Sequence, residues 1–266
     1  MTFTRKSLFA GTLVTISFVW LSTYIPIPSG QIAGGFHITL AIEIVEAALY
    51  VFSALIFISS IQEFRNEMRK AYLTLAIGFC FLGLSQVQNP IFQALNQWAS
   101  FWVLKGGLAL PVLIASVLLF LGTKKFAELN NIKYSWASFG RIVLISALCA
   151  AVLHILPHRS DYNESLWGGW LNLSLTITSV SIVLLAYALA IALKIRKEAV
   201  ATFVNPWAWL IIAYTVNLLA NFQIPYFSLT SWYVPYVTLG FYDMWFLFAG
   251  LCILKAAYAF HTITER

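Results

Sequence analysis

The sequence predicts an all-α integral membrane protein with eight transmembrane helices. Of its 266 residues, 61% are hydrophobic and only 10% are charged, whereas a soluble domain carries about 25% charged residues. Long apolar runs follow one another along the whole chain. They are expected to be helices, because lipid cannot satisfy open backbone hydrogen-bonding groups. This composition excludes a soluble enzyme, a nucleic-acid-binding module and a disordered chain.

The spans are predicted in chain order from these apolar runs. They lie near residues 7–25, 36–59, 72–88, 99–122, 139–157, 168–193, 207–222 and 234–260. The first run has a basic start, as a signal peptide would, but it lacks a clear small-residue cleavage site and is kept as a span. The segments between the runs are short, so we expect a single membrane domain with no soluble domain.

Most of the 16 basic residues lie in alternate connecting segments or at the chain ends. The positive-inside rule makes those segments cytoplasmic. An even number of spans places both termini on the same side, so we predict a multi-pass protein of the cytoplasmic membrane with both termini cytoplasmic. The lipid bilayer is its expected partner, and topology explains the basic charge without any nucleic acid.

Three short pieces of the first half recur in the second half in the same order. The pairs are 25–26 with 156–157, 34–36 with 168–170, and 84–92 with 219–227. Their offsets are 131, 134 and 135 residues, and the longest pair shares the pattern Q-x-P-x-F. We therefore predict two four-helix units in tandem with the same orientation, covering residues 1–134 and 135–266.

Two uncharged segments follow the third and seventh spans, at residues 87–100 and 222–236. They are rich in Gln, Asn, Pro, Trp and Tyr, which suits a membrane interface. Pro90 and Pro225 are expected to end or kink the preceding helices. The segments fit either plain interfacial connectors or a pair of lids over an outward-facing cavity.

Four charged residues fall inside predicted spans, where a charge costs at least a few kcal/mol. Glu43 and Glu46 are three residues apart and share one face of the second span. Lys105 and Asp243 lie at a similar predicted depth in the fourth and eighth spans. The four groups are expected to converge on one pocket in the outer leaflet. Structural ion pairing and a site for a ligand, a proton or catalysis both fit, with the three acids as catalytic candidates.

None of these four charges is repeated in the other half. At an offset of 134 or 135 residues, Glu43 corresponds to Ile177, Glu46 to Val180, Lys105 to Gly240 and Asp243 to Leu108. Residues common to both halves are expected to build the scaffold. Residues present in only one half are where a single asymmetric site is expected.

Polar amides end the third and seventh spans and extend this candidate site. They are Gln86 and Gln88 in the first half, and Asn217 and Asn221 in the second. Hydrogen bonding between helices is an equally simple role for such amides.

No metal or cofactor is implied. His37, His154 and His158 lie near the outer side and raise the idea of a metal or haem site. However, Pro157 precedes His158 and breaks the helical spacing. The three cysteines have no metal-binding spacing and are expected to fill the core.

Three functions remain open from the sequence. The first is a protein that binds or transports a small molecule or ion through the charged pocket. The second is an intramembrane acid/base enzyme acting on a lipophilic, isoprenoid-like substrate. The third is an accessory subunit of a membrane redox complex. A homo-oligomer or a partner within a membrane complex is compatible with each.

Overall fold

The computed structural model describes residues 33–60, 66–94, 109–133, 135–155, 164–198, 201–229 and 237–264. These residues form helices without any strand. The helices are α1 (Ala33–Ser60), α2 (Asn66–Ala94), α3 (Ala109–Leu129), α4 (Trp136–Ile155), α5 (Glu164–Glu198), α6 (Ala201–Leu229) and α7 (Val237–Thr264). They correspond to the second to eighth predicted spans, and the first predicted span lies outside the described residues.

Five of the described helices contain a stretch long and apolar enough to cross a membrane. The stretches are Ile42–Ser60, Ala109–Leu129, Leu175–Glu198, Phe203–Phe222 and Met244–Ile263. They belong to α1, α3, α5, α6 and α7. Helix α4 has a shorter apolar stretch, Gly140–Val152, and α2 is not among the five. The prediction of an all-helical, multi-pass membrane protein is confirmed at this level.

Six helices close into a ring. Helix α1 packs against α2, α2 against α3, α3 against α5, α5 against α6, α6 against α7, and α7 packs back against α1. Helix α4 packs outside this ring, mainly against α5 and to a smaller extent against α6. The ring therefore has an inner face, which contains most of the buried side chains, and an outer apolar face.

Most charged residues of the described helices gather at one end of the ring, which we call the basic end. The last turns of α1 and α7 meet there, with Ser60 Oγ 3.2 Å from His261 Nδ1. Near the end of α3, Lys125 Nζ lies 2.9 Å from Glu67 Oε2 at the start of α2. The basic side chains at this end include Arg69, Lys70, Lys124, Lys125, Lys194, Arg196 and Lys197. The opposite end is called the far end.

Aromatic rings fill the ring interior near the basic end. The cluster consists of Phe57, Tyr72, Phe79, Phe126, Phe203, Trp207 and Phe260. Phe57 is central, with ring centroids 5.3 Å from Phe79 and 5.4 Å from Phe260. Such tilted contacts are favourable for aromatic pairs. This aromatic cluster joins five helices of the ring.

Glycine residues let α2 approach both α1 and α3 closely. A Cβ placed on Gly122 of α3 would come within 2.8 Å of Leu75 Cγ in α2. A Cβ on Gly83 of α2 would come within 3.1 Å of the backbone oxygen of Ala47 in α1. Close approach at glycine is typical of helix packing in membranes, where dispersion contacts provide much of the association energy.

The two proline segments differ from the sequence expectation. Helix α2 continues to Ala94, past Pro90, and helix α6 continues to Leu229, past Pro225. Of the two expected effects, the helices do not end at these prolines, and a kink stays a prediction. A proline removes only one backbone hydrogen bond, and transmembrane helices tolerate this when local adjustments satisfy the freed group. The segments 87–100 and 222–236 both run beyond the described residues, so lids and plain connectors stay alternative predictions for them.

Candidate functional site

The inner face of α1 contains both predicted carboxylates of that helix. The side chain of Glu46 is 0% exposed, and that of Glu43 is 6% exposed. The intervening Ile44 and Val45 are about half exposed on the outer face. Spacing of three residues places Glu43 and Glu46 on one helical face, and packing of α1 against α2 and α7 turns that face inward.

Tyr50 lies one turn after Glu46 and links three helices. Its hydroxyl donates toward Asn217 Oδ1 of α6 at 3.3 Å and toward the backbone oxygen of Phe246 in α7 at 3.2 Å. Glu46 is close enough to Tyr50 to interact with it electrostatically. The tyrosine therefore connects the acidic face of α1 with the polar face of α6.

Asn217 and Asn221 complete this polar face and are almost fully buried. Asn217 Nδ2 donates to the backbone oxygen of Ala213 at 3.0 Å, and Asn221 Nδ2 donates to the backbone oxygen of Asn217 at 2.8 Å. A planar amide has its nitrogen and oxygen on opposite sides. Because both nitrogens are turned toward the helix backbone, both amide oxygens are turned away from it.

The structure describes only some of the remaining predicted site residues. Gln86 is half-buried near the end of α2, with Nε2 3.5 Å from Ser85 Oγ. Gln88 and Asp243 lie within α2 and α7, but their side chains are outside the described part. Asp243 precedes Phe246 by one turn, which puts its backbone close to the level of Glu46. Lys105 lies outside the described residues, so its convergence with the acids stays a prediction.

The structure thus links Glu46 of α1 through Tyr50 to Asn217 of α6, with Glu43 and Asn221 buried one turn further along the same two helices. Sequence reasoning missed Tyr50, although one signal was available. It lies four residues after Glu46, on the same helical face, in a run that is otherwise apolar. A phenol at that position can hydrogen-bond across the ring.

The predicted histidines fall on helices that pack in different places. His37 belongs to α1 within the ring, and His154 belongs to α4 outside it, with both side chains outside the described part. His158 is outside the described residues altogether. In the described portion of the chain, no three His, Cys, Asp or Glu side chains group as metal ligands.

Toward the basic end, the polar site is bounded by a further hydrogen bond and then by the aromatic cluster. Thr123 Oγ1 and Tyr214 Oη are 3.0 Å apart, linking α3 to α6. Beyond them lie Phe126 and Trp207, with ring centroids 4.8 Å apart. The interior thus changes from polar in the far half to aromatic in the basic half.

Charge at the basic end is organised by short ion pairs. Glu67 Oε1 accepts a hydrogen bond from Lys70 Nζ at 2.7 Å, and Glu67 Oε2 lies 2.9 Å from Lys125 Nζ. The hydrogen bonds from Lys70 and Lys125 hold the pKa of Glu67 at about 2. All three side chains are exposed, so this network is a surface feature separate from the buried carboxylates.

A cavity of about 400 Å³ lies away from the ring interior, between α4 and α5. It is an open, mainly apolar groove. Its lining residues are Ala147, Ala150, Ala151, Ser179, Val180, Val183 and Leu184. The small alanine side chains of α4 leave this space against α5.

Comparison with known proteins gives no match: no protein-family model, no curated protein and no solved structure matches the chain. Function is therefore inferred from the geometry of the ring interior.

Proposed function

We propose that this membrane protein binds a small cation or a proton at the buried carboxylates of α1 and carries it across the bilayer. The observation behind this proposal is Glu46, which is completely buried on the inner face of the ring with Glu43 one turn away. Both belong to a helix that contains a membrane-spanning stretch.

The two carboxylates lie among small and apolar side chains of α1. Other inward positions of α1 contain Ala47, Ala54 and Phe57, so the ring interior accommodates small and apolar side chains. An ionised carboxylate in an apolar interior costs several kcal/mol unless a proton or a cation compensates it. Acidic residues that face the interior of a membrane bundle commonly mark ion or proton pathways.

The neighbouring polar groups favour a positively charged ligand. The nitrogens of Asn217 and Asn221 donate to their own helix, and their amide oxygens are turned away from it. Carboxylate, amide and backbone oxygens are the ligands that hard cations and ammonium groups prefer. The described donors of the cluster are already engaged in part, since Tyr50 Oη, Asn217 Nδ2 and Asn221 Nδ2 each donate to an oxygen of the protein.

We further infer that the chain is a tandem duplication with eight spans. From Glu46 onward, buried positions of α1 fall on buried positions of α5 when 135 is added to the residue number. The pairs are Glu46 with Ser181, Ala47 with Ile182, Tyr50 with Leu185, Ser53 with Ala188, Ala54 with Leu189, Phe57 with Ala192 and Ser60 with Ile195. This agreement over four turns supports the duplication.

The other two helix pairs show the same agreement. Tyr72, Leu75 and Phe79 of α2 fall on Trp207, Leu210 and Tyr214 of α6 at 135, and Ala115, Leu119 and Phe126 of α3 fall on Ala249, Ile253 and Phe260 of α7 at 134. Exchanging the two halves also maps the order of helices around the ring onto itself. Both features are expected of two like units packed about an axis along the membrane normal.

In the proposed duplication, the polar residues of the site have no polar equivalents of the same kind in the other half. The counterpart of Glu46 is Ser181, and the counterpart of Asn217 is Leu82. One ring interior therefore has one acidic face and one amide face. This asymmetry favours a single binding site for each chain. The basic end is proposed to be cytoplasmic, which puts both termini inside and the carboxylates in the outer half of the cytoplasmic membrane.

The test is cation flux through the purified full chain in proteoliposomes. Under imposed Na⁺, K⁺ or pH gradients, an internal pH dye would report proton movement, and internal Na⁺- and K⁺-sensitive dyes would report movement of those cations. We expect flux in the wild type, and its loss in Glu46→Gln and in the double variant Glu43→Gln with Glu46→Gln. Glutamine keeps the shape of the side chain and removes its charge.

Glu67→Gln is the matched control, because it removes an exposed carboxylate of the basic end and leaves the ring interior unchanged. Its flux is expected to equal that of the wild type. Absence of flux in the wild type for all three gradients would overturn the proposal. Full flux in the double glutamine variant would overturn it equally.

A further inference from the structure

Tyr50 of α1 reaches across the ring interior. Its hydroxyl lies 3.3 Å from Asn217 Oδ1 of α6 and 3.2 Å from the backbone oxygen of Phe246 in α7. Helices α1 and α7 are neighbours in the ring, whereas α7 separates α1 from α6. The bond to Asn217 therefore spans the interior, and the two contacts together tie α1 to α6 and α7.

These two contacts of Tyr50 share one proton. A phenol has a single O–H group to donate, and hydrogen bonds between two oxygens are usually about 2.7–2.8 Å long. Both contacts of the Tyr50 hydroxyl are longer, as expected where one donor is divided between two acceptors. A divided and lengthened hydrogen bond is weak, so a stronger acceptor nearby is able to capture the Tyr50 proton.

Glu46 is such an acceptor when its carboxyl group is ionised. It lies one turn before Tyr50 on the same face of α1, it is 0% exposed, and it interacts electrostatically with the phenol. Hydrogen bonds to a carboxylate are about twice as strong as those to neutral amide or peptide oxygens. The amide nitrogens of Asn217 and Asn221 already donate to the backbone of their own helix, so the Tyr50 hydroxyl is more easily redirected toward Glu46 than they are.

We propose that Tyr50 is a positioning residue that holds α1 against α6 and α7 while Glu46 carries a proton or a cation, and that releases α6 and α7 when Glu46 is a bare carboxylate. This inference rests on the function proposed above, because it assigns to Tyr50 the coupling between occupancy of the site and packing of the ring. A neutral Glu46 leaves the Tyr50 proton to the acceptors on α6 and α7. An ionised Glu46 takes that proton into its own hydrogen bond, and α1 is then free to move.

Other ionisable residues lie on the helices around Tyr50 and have to be separated from Glu46 by experiment. In the described helices they include Glu43 on α1, Cys80 on α2, Tyr214 on α6, and Asp243 and Cys252 on α7. Cys252 interacts electrostatically with Tyr50, and the side chain of Asp243 is outside the described part. Glu46 is one turn from Tyr50, whereas Glu43 is two turns away, so Glu46 is the acid of α1 that is placed to control the phenol.

The test measures the distance between α1 and α6 as the pH changes. The full chain, with its three cysteines replaced by alanine, would receive Leu55→Cys on α1 and Ile212→Cys on α6, both at exposed outer positions. Spin labels on the two new cysteines would be measured by double electron–electron resonance in proteoliposomes. A pH series from about 5 to about 9 covers the titration of most buried carboxyl groups. Replacing the native cysteines removes Cys80 and Cys252 as pH-sensitive groups.

With no further substitution, we expect the distance to lengthen by about 1–2 Å as the pH rises, which is the size of helix shifts at packed interfaces. Glu46→Gln has a neutral side chain at every pH and is expected to keep the short distance throughout. Tyr50→Phe has no proton to donate and is expected to give the long distance throughout. Asn217→Leu removes one acceptor and is expected to lengthen the distance at low pH, which guards against a folding defect in Tyr50→Phe.

Glu43→Gln and Asp243→Asn are the matched controls, because each removes another acid from α1 or α7 and leaves Glu46 and Tyr50 in place. Both are expected to keep a pH-dependent shift in the distance. A reference pair of labels, Leu144→Cys with Ile212→Cys, joins the exposed face of α4 to α6. Its distance is expected to stay the same at every pH, because neither helix contains the proposed switch.

A distance between α1 and α6 that stays constant with pH would overturn the proposal. A Glu46→Gln or Tyr50→Phe chain that follows the unsubstituted profile would overturn it as well. Loss of the shift in Glu43→Gln or Asp243→Asn alone would show that another acid controls the packing, with the same consequence. The distances require no gradient, so absence of flux together with the expected distances would disprove transport alone, and flux with constant distances would disprove the role of Tyr50 alone.

Discussion

Gly122 provides the most quantitative test of how the ring is packed. A Cβ at this position of α3 would lie 2.8 Å from Leu75 Cγ, 2.9 Å from Leu75 Cδ2 and 3.1 Å from Leu75 N. Ordinary carbon contacts are about 3.5–4.0 Å, so the added methyl group overlaps its neighbour by more than half an ångström. Leu75 is completely buried and cannot turn outward, and its backbone nitrogen moves only with α2. Helices α2 and α3 must therefore separate.

We expect Gly122→Ala to lower the free energy of unfolding by about 1–3 kcal/mol, the usual cost of adding a methyl group to a filled core. The measurement is the midpoint of thermal unfolding of the purified chain in detergent. Gly140→Ala in α4 is the matched control, because a Cβ there meets no atom within 4 Å. In that variant only helix propensity changes, which favours alanine by up to about 1 kcal/mol. A Gly122→Ala chain as stable as the Gly140→Ala chain would refute the close packing of α2 and α3.

Two further variants test the ring interior and the basic end. Tyr50→Phe removes the donor to Asn217 Oδ1 and is expected to cost about 1–3 kcal/mol in the same unfolding assay; an unchanged midpoint would contradict the bond between α1 and α6. The pKa of Glu67 is lowered to about 2, below its value of about 4.3 in an unfolded chain. The stabilising effect of the ionised Glu67 carboxylate is therefore present above about pH 4.3 and is lost as the pH falls toward 2. Glu67→Gln is therefore expected to weaken the fall in unfolding temperature between these pH values, and an identical pH profile would contradict the network with Lys70 and Lys125.

Composition and the lengths of the apolar runs were sufficient to predict a membrane protein and most of its helices, because the bilayer determines both how apolar and how long a spanning segment must be. The order of helices around the ring was not predictable by the same route. In a soluble helix, the polar face marks the outer side. Here the outer residues Leu144, Ile145 and Leu148 of α4 are as apolar as the buried core. The periodic signal that assigns faces is therefore nearly absent, and the position of α4 outside the ring follows only from packing.

The candidate site was predictable to the extent that charge is rare in an apolar run. Glu43 and Glu46 were identified for that reason, and both are buried as an interior site requires. Tyr50 was not identified, because tyrosine is common both at membrane interfaces and in cores. Its role depends on the distance between α1 and α6, which a single sequence does not contain.

The number of residues by which the two halves are offset decides which residues correspond to each other at the proposed site. The glycine pairs at 34–35 and 168–169 give 134, and this offset places Glu46 opposite Val180, which is 45% exposed. Burial along α1 and α5 favours 135, which places it opposite Ser181, which is 1% exposed. One residue turns a helix by about 100°, so the two offsets compare different faces. Under the second offset, Glu43 and Glu46 correspond to Thr178 and Ser181, whose hydroxyls are polar and uncharged. The second half then has neutral hydroxyl groups at the positions where the first half has acids, so the duplication proposed above leaves the acidic pair in one half only.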